Sequence, residues 1–192
     1  RDCQVLGIAS SGGLSSELLA RNFKIKNKYE TESEILEAEE IDAVFILTQH
    51  FSHAELVIKA IDAGKAVYVE KPLAIEASSI TDIEEAMYNA DNPKIFLGFN
   101  RRFAAATEFI KTKLNNSPAN SINFRFSVPP LEEDHWTNVD EIGGGRIVGE
   151  AIHAIDLACY LFDSLPQSIS SSSPIDKENN KALDNQVFLN IN

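Results

Sequence analysis

Short apolar runs alternate with stretches of helical spacing through the first half of the chain. Residues 5–9 form an apolar run ending in Ser10-Ser11-Gly12-Gly13, and residues 15–22 carry Leu18 and Leu19 at helical spacing, which predicts strand, loop and helix. Residues 43–48 and 66–69 are continuous apolar runs of the kind a strand shows when both faces are covered. Two helix starts are marked by capping boxes, in which a hydroxyl and a glutamate satisfy free amides: Thr31-Glu32-Ser33-Glu34 and Ser52-His53-Ala54-Glu55. Gly64 supplies a helix stop, and a helix over 76–89, ended by Asp91-Asn92-Pro93, leads into a further run at 95–99. This alternation predicts a βαβ series with a parallel sheet covered on both faces.

After residue 102 the rhythm changes. A helix to about 114 and a polar turn at Asn115-Asn116-Ser117-Pro118 precede 122–128, where Ile, Phe, Phe and Val alternate as in a half-buried antiparallel strand. An irregular stretch over 129–145 is followed by a helix over 149–162 and strands near 167–172 and 186–191. The fold class expected is therefore α/β: a Rossmann-like parallel sheet, incomplete at its N-terminus, over 1–102, then an α+β domain with a mainly antiparallel open sheet over 103–192.

The 192 residues suffice for a substantial core, so composition bears mainly on partners. A formal charge of −12, from 17 basic and 29 acidic residues, argues against nucleic acid or an anionic membrane and for a small polar substrate. Cys3 and Cys159 have no metal-type spacing and read as reduced thiols of a cytoplasmic protein, and no apolar run approaches the roughly 20 residues of a membrane helix. His50 and His53 lack the further ligands a zinc site needs, so no metal is expected.

The stretch Ala63-Gly64-Lys65-Ala66-Val67-Tyr68-Val69-Glu70-Lys71-Pro72-Leu73-Ala74 carries the candidate chemistry. Its strand ends in an acid and a lysine, at the carboxyl edge where open α/β sheets hold ligands. Pro72 restricts the residue before it to extended backbone and so gives Lys71 a defined exit. A surface ion pair is the competing reading. Likewise His153, amid Ile152, Ile155 and Leu157, reads as a core histidine or a functional one.

These residues resemble the signature of the glucose-fructose oxidoreductase, inositol dehydrogenase and MocA family of NAD(P)-dependent sugar oxidoreductases. Phe45-Ile46-Leu47-Thr48 with His53, Gly98-Phe99-Asn100-Arg101-Arg102-Phe103, and Gly143-Gly144-Gly145 through His153-Ala154-Ile155-Asp156 are similar to three further stretches of that family, in matching order over about residues 1–165. The run Gly143-Gly144-Gly145-Arg146-Ile147 with Gly149, Glu150 and His153 is most similar to its bidomain members of polysaccharide pathways. The resemblance implies hydride transfer between a secondary alcohol of a sugar, cyclitol or nucleotide sugar and NAD or NADP, with Lys71 and His153 handling the proton. Relatives commonly carry an aspartate where this chain has Gly149, and Glu150 is the expected substitute. Cofactor contacts are expected from Ser10, Thr48, Gln49, His50, His53, Glu70, Lys71, Pro72 and Asn100, and substrate contacts from Lys71, Arg101, His135, Trp136, His153 and Asp156. Asp156 either orients His153 or holds a structural contact.

No Gly-x-Gly-x-x-Gly turn is present, and Ser10-Ser11-Gly12-Gly13 falls by motif order after the family's second strand. The chain is accordingly expected to start one βα unit late and to end early. The serines there tolerate a ribose 2′-phosphate, which leaves NAD and NADP both open. A homo-oligomer is expected. The alternative is a binding or structural module of the same fold, or a fragment inactive by itself.

Overall fold

The computed structural model describes residues 3–10, 13–116, 121–125, 131–132, 134–175 and 187–192. Two parallel ladders form its first half. β1 (Gly7–Ala9) pairs with β2 (Asn27–Tyr29), with α1 (Gly13–Phe23) as the crossover. β3 (Ala43–Ile46), β4 (Ala66–Val69) and β5 (Ile95–Leu97) form a three-stranded sheet in that order, joined by α3 (His53–Asp62) and α4 (Ala77–Asn89). The apolar runs at 43–48 and 66–69 thus become neighbouring strands, in register Phe45 with Tyr68 and Ile46 with Val69.

The core lies between this sheet and its two helices. Ile46, Val67 and Val69 from the strands meet Ala54, Val57, Ala60 and Ile61 of α3 and Ile83 of α4. Strand pairing continues past the regular ladders, since Glu70 N donates to the Ile46 carbonyl at 3.0 Å and Gly98 N to the Val69 carbonyl at 2.8 Å. The three strands therefore end side by side and release Thr48, Lys71 and Asn100 at one edge.

Several elements differ from expectation for identifiable reasons. β2 is the polar triplet Asn-Lys-Tyr, which gives no apolar signal. Thr31 does cap α2 (Glu32–Glu37), accepting from Glu34 N at 3.3 Å, but Ser52 does not cap α3. Ser52 closes a 3-10 turn (His50–Ser52), and its hydroxyl donates to the Gln49 carbonyl at 2.9 Å and pairs with Thr48 Oγ1 at 2.7 Å. Residues 121–125 form no strand, and the rest of the strand expected over 122–128 lies outside the described residues.

In the second half, α5 (Ala105–Asn116) packs against α7 (Ile152–Phe162), and β6 (Ile169–Ser172) pairs antiparallel with β7 (Phe188–Ile191). The stretch expected to be irregular contains a 3-10 turn (Trp136–Asn138) and the one-turn helix α6 (Asp140–Gly143). The helix expected from residue 149 starts instead as a π-helical turn (Ile147–Ala151), a wider coil often found at functional sites. No described helix is long and apolar enough to cross a membrane.

Candidate active site

Lys71 leaves the carboxyl end of β4 and reaches the π-helical turn. Its ammonium donates to the Gly149 carbonyl at 2.7 Å and lies 3.4 Å from Glu150 Oε1. The Lys71 side chain is only 17% exposed, against 48% for Glu150, so the lysine is the enclosed partner. Glu70 turns the other way: its carboxylate accepts from Tyr68 Oη at 3.1 Å and from the Lys71 amide at 3.3 Å. Gly98 makes room for this turn, because a Cβ there would stand 3.1 Å from Glu70 Cα and 3.0 Å from Tyr68 Oη.

His153 stands three residues beyond Glu150, at the start of α7, and is buried. Burial, with the nearby charges of Arg101 and Lys71, lowers its pKa, while Glu150 and Asp156 push the other way. Its Nδ1 is buried with no hydrogen-bond partner among the described residues. A neutral imidazole with an unpaired ring nitrogen beside a lysine is equipped to take up a proton.

His50 closes the site from the β3 side. Its Nδ1–H donates to the Gly143 carbonyl at 2.7 Å, and its ring meets the Trp136 indole edge-on with centroids 4.8 Å apart. Burial lowers the His50 pKa, and the Lys71 and His53 charges add to that against the Gly143 hydrogen bond and Glu150. Position 149 has little room beside it: a Cβ on Gly149 would lie 3.3 Å from His50 Cε1. The structure thus puts a histidine ring where a side chain at 149 would project.

The other predicted residues fall into two groups. Thr48, Gln49 and Asn100 are exposed along the strand ends, as is Ser10 at the end of β1, and Arg101 is half-buried near His153. His135, stacked on Trp136 at 5.8 Å, accepts from the Thr137 amide, and the Trp136 indole in turn lies against His50. The remaining residues face inward to structural partners. His53 is fully buried with its ring nitrogens 2.7 Å from the Pro72 carbonyl and 3.0 Å from the Thr48 carbonyl, tying the ends of β3 and β4 together. Pro72 is buried as well, and both Asp156 oxygens accept hydrogen bonds from Arg102. Arg102 is not among the expected cofactor or substrate contacts; its neighbour Arg101 carries the same local signal, and only the fold tells them apart.

Polar groups line the strand ends, where open parallel sheets hold ligands, and the buried His153 lies close enough to Lys71 for their charges to interact. Comparison with known proteins places the chain in a family. The chain is 28% identical over 167 residues to myo-inositol 2-dehydrogenase of Thermotoga maritima, covering 83% of this chain and 48% of that one. It is 30% identical over 165 residues to scyllo-inositol 2-dehydrogenase (NAD(+)) of Bacillus subtilis, covering 83% and 46%. The structure of levoglucosan dehydrogenase in complex with NADH and levoglucosan superposes with a TM-score of 0.81 at 23% identity, covering 98% of this chain and 54% of that one. The chain therefore spans about half the length of the relatives it matches. The model of an oxidoreductase family with an NAD-binding Rossmann fold matches residues 1–98, and the chain belongs to that family, the GFO/IDH/MocA oxidoreductases.

Proposed function

We propose that this chain holds the cofactor edge and catalytic groups of an NAD(P)-dependent dehydrogenase acting on a secondary alcohol of a sugar, cyclitol or nucleotide sugar. Residues 1–102 form the cofactor-binding unit in this reading, and 103–192 the substrate-facing unit. The observation that carries it is the meeting of Lys71, Glu150 and His153 at the carboxyl edge of a parallel sheet. The inositol and levoglucosan dehydrogenases it resembles act on the same class of alcohol.

The nicotinamide, when bound, supplies the hydride acceptor. Lys71 donates a hydrogen bond to the alcohol oxygen, and Glu150 and the Gly149 carbonyl fix where its ammonium stands. His153, held neutral by burial, accepts the hydroxyl proton. Thr48, Gln49 and Asn100 contact the cofactor from the strand ends, while Glu70, Pro72 and His53 shape the edge. Arg101, His135 and Trp136 meet the substrate, the indole stacking on a ring face. The subunits associate as a homo-oligomer.

The test is fluorescence titration with NADH and NADPH, followed by NAD(P)-dependent oxidation of myo-inositol, scyllo-inositol and levoglucosan by the same protein. Binding of one dinucleotide with turnover of at least one polyol is expected, and Lys71→Met lowers kcat by about 10²–10⁴-fold with dinucleotide binding retained. A folded protein that binds neither dinucleotide overturns the enzyme reading in favour of a binding module.

A further inference from the structure

Arg102 takes no part in the chemistry proposed above, yet it is heavily engaged close to it. It sits in the 3-10 turn (Asn100–Phe103) that follows β5. Its Nε donates to Asp156 Oδ1 at 3.0 Å and Oδ2 at 2.8 Å, and its Nη2 donates to Oδ1 as well. Asp156 is 8% exposed, so its carboxylate has left water and depends on this partner. The guanidinium also lies 5.5 Å from the ring centre of Tyr160 and 5.9 Å from that of Phe99. Phe99 in turn sets its ring edge-on to His153, at 6.3 Å between centroids.

His153, Asp156 and Tyr160 are spaced i, i+3 and i+7, which places them on one face of α7. Arg102 therefore meets that face directly at two points and through Phe99 at the third. A planar fork held by both carboxylate oxygens and by two rings resists rotation in a way that a point charge does not.

We propose that Arg102 is a positioning residue: by gripping Asp156 and Tyr160 it fixes the rotation of α7, and with it the direction in which His153 presents its ring to Lys71. The inference rests on the reading of His153 as the proton acceptor. The charged groups bearing on His153 are Arg101 and Lys71 from the first half and Glu150 and Asp156 from its own segment, so loss of Arg102 leaves Asp156 unbalanced against that ring.

Arg102→Met removes charge and fork, and Arg102→Lys keeps the charge alone. The readouts are the pH titration of the His153 ring by nitrogen NMR, which needs no turnover, and the pH profile of kcat on the alcohol oxidised. In Arg102→Met the ring titration is expected to move up by about one unit and the acid limb of kcat to move with it. In Arg102→Lys the titration stays near that of the parent while kcat falls about tenfold or more with KM within about twofold. A lowered melting temperature with unmoved titration in Arg102→Met, or parent kcat in Arg102→Lys, overturns the proposal. If Arg102→Met does not fold, Asp156→Asn with Arg102→Lys gives the same decision: unchanged kcat in both overturns it. A parent that oxidises no alcohol defeats the proposed function, and the ring titration still decides the role of Arg102.

Discussion

His50 and His153 are buried imidazoles that both feel the Lys71 charge, and both titrate below the ordinary value of 6.5 because burial disfavours their charged forms. In acid the unfolded chain protonates these rings more readily than the folded one, so their contribution to stability is present above 6.5 and is lost as pH falls through the lowered values. Urea midpoints measured between about pH 5 and 8 are expected to fall on the acid side, and His153→Asn to flatten that fall. The two rings differ in what holds them, since His50 has the Gly143 carbonyl and His153 has no partner for its Nδ1 among the described residues. His50→Asn is accordingly expected to lower stability at neutral pH as well, whereas His153→Asn is expected to act mainly on the pH dependence. An acid limb that both variants leave unchanged would assign it to the carboxylates instead.

At the scale of elements, the site depends on how closely the ends of β4 and β5 approach. Gly98 is the tight point: a Cβ there meets Tyr68 Oη at 3.0 Å and the Cα and Cδ of Glu70 at 3.1 Å, and that Cα directly precedes Lys71 in the chain, so it cannot retreat without moving the lysine. Gly98→Ala is expected to cost about 1–3 kcal/mol and to lower kcat more than dinucleotide affinity, checked by denaturation and by paired binding and turnover assays. Equal stability in Gly98→Ala would show that the edge yields. The elements that frame this edge were legible in the sequence because their signals are local. Residues 43–46 and 66–69 are apolar runs and became β3 and β4. Thr31 and Glu34 form a cap within one turn, and the amide of Glu34 binds the Thr31 hydroxyl as the spacing implies. Ser52 has the same local pattern and fails as a cap, because the neighbouring Thr48 hydroxyl and Gln49 carbonyl claim its side chain. The π-helical turn was hidden because its residues read as ordinary helix, and its carbonyl partner, Lys71, lies 78 residues away. Arg102 and Asp156 are 54 residues apart, and nothing local distinguishes Arg102 from Arg101.

At the scale of the molecule, the deepest burial among the described residues lies in the core around β3–β5. Val57, Val69 and Ile83 are nearly or wholly inaccessible between the three-stranded sheet and α3 and α4, whereas every residue of β6 is exposed and β1 and β2 bury none fully. Apolar burial is the main source of folding free energy, so opening free energies should follow this distribution. The amides of Val67 and Gly98, bonded across β4 and β5 at 2.8 Å, are expected to exchange only through global unfolding. The amide of Asn192, bonded to the Ser168 carbonyl at 3.0 Å in the exposed antiparallel pair, is expected to exchange by local opening. Ile83→Ala separates the two regimes: a cavity in the core costs about 2–5 kcal/mol, which lowers the protection of Val67 and Gly98 and leaves Asn192 unchanged. The proposed catalytic groups straddle this gradient, Lys71 emerging from the stable sheet and His153 standing on a helix tied to it by Arg102 on Asp156 and, at the π-helical turn that precedes it, by Lys71 on the Gly149 carbonyl. Hydrogen exchange of the α7 amides thus measures that attachment. Protection close to that of Val67 would show that the second half is locked to the sheet by these contacts, and protection close to that of Asn192 would show that the two halves open independently and that Lys71 and His153 meet for only part of the time.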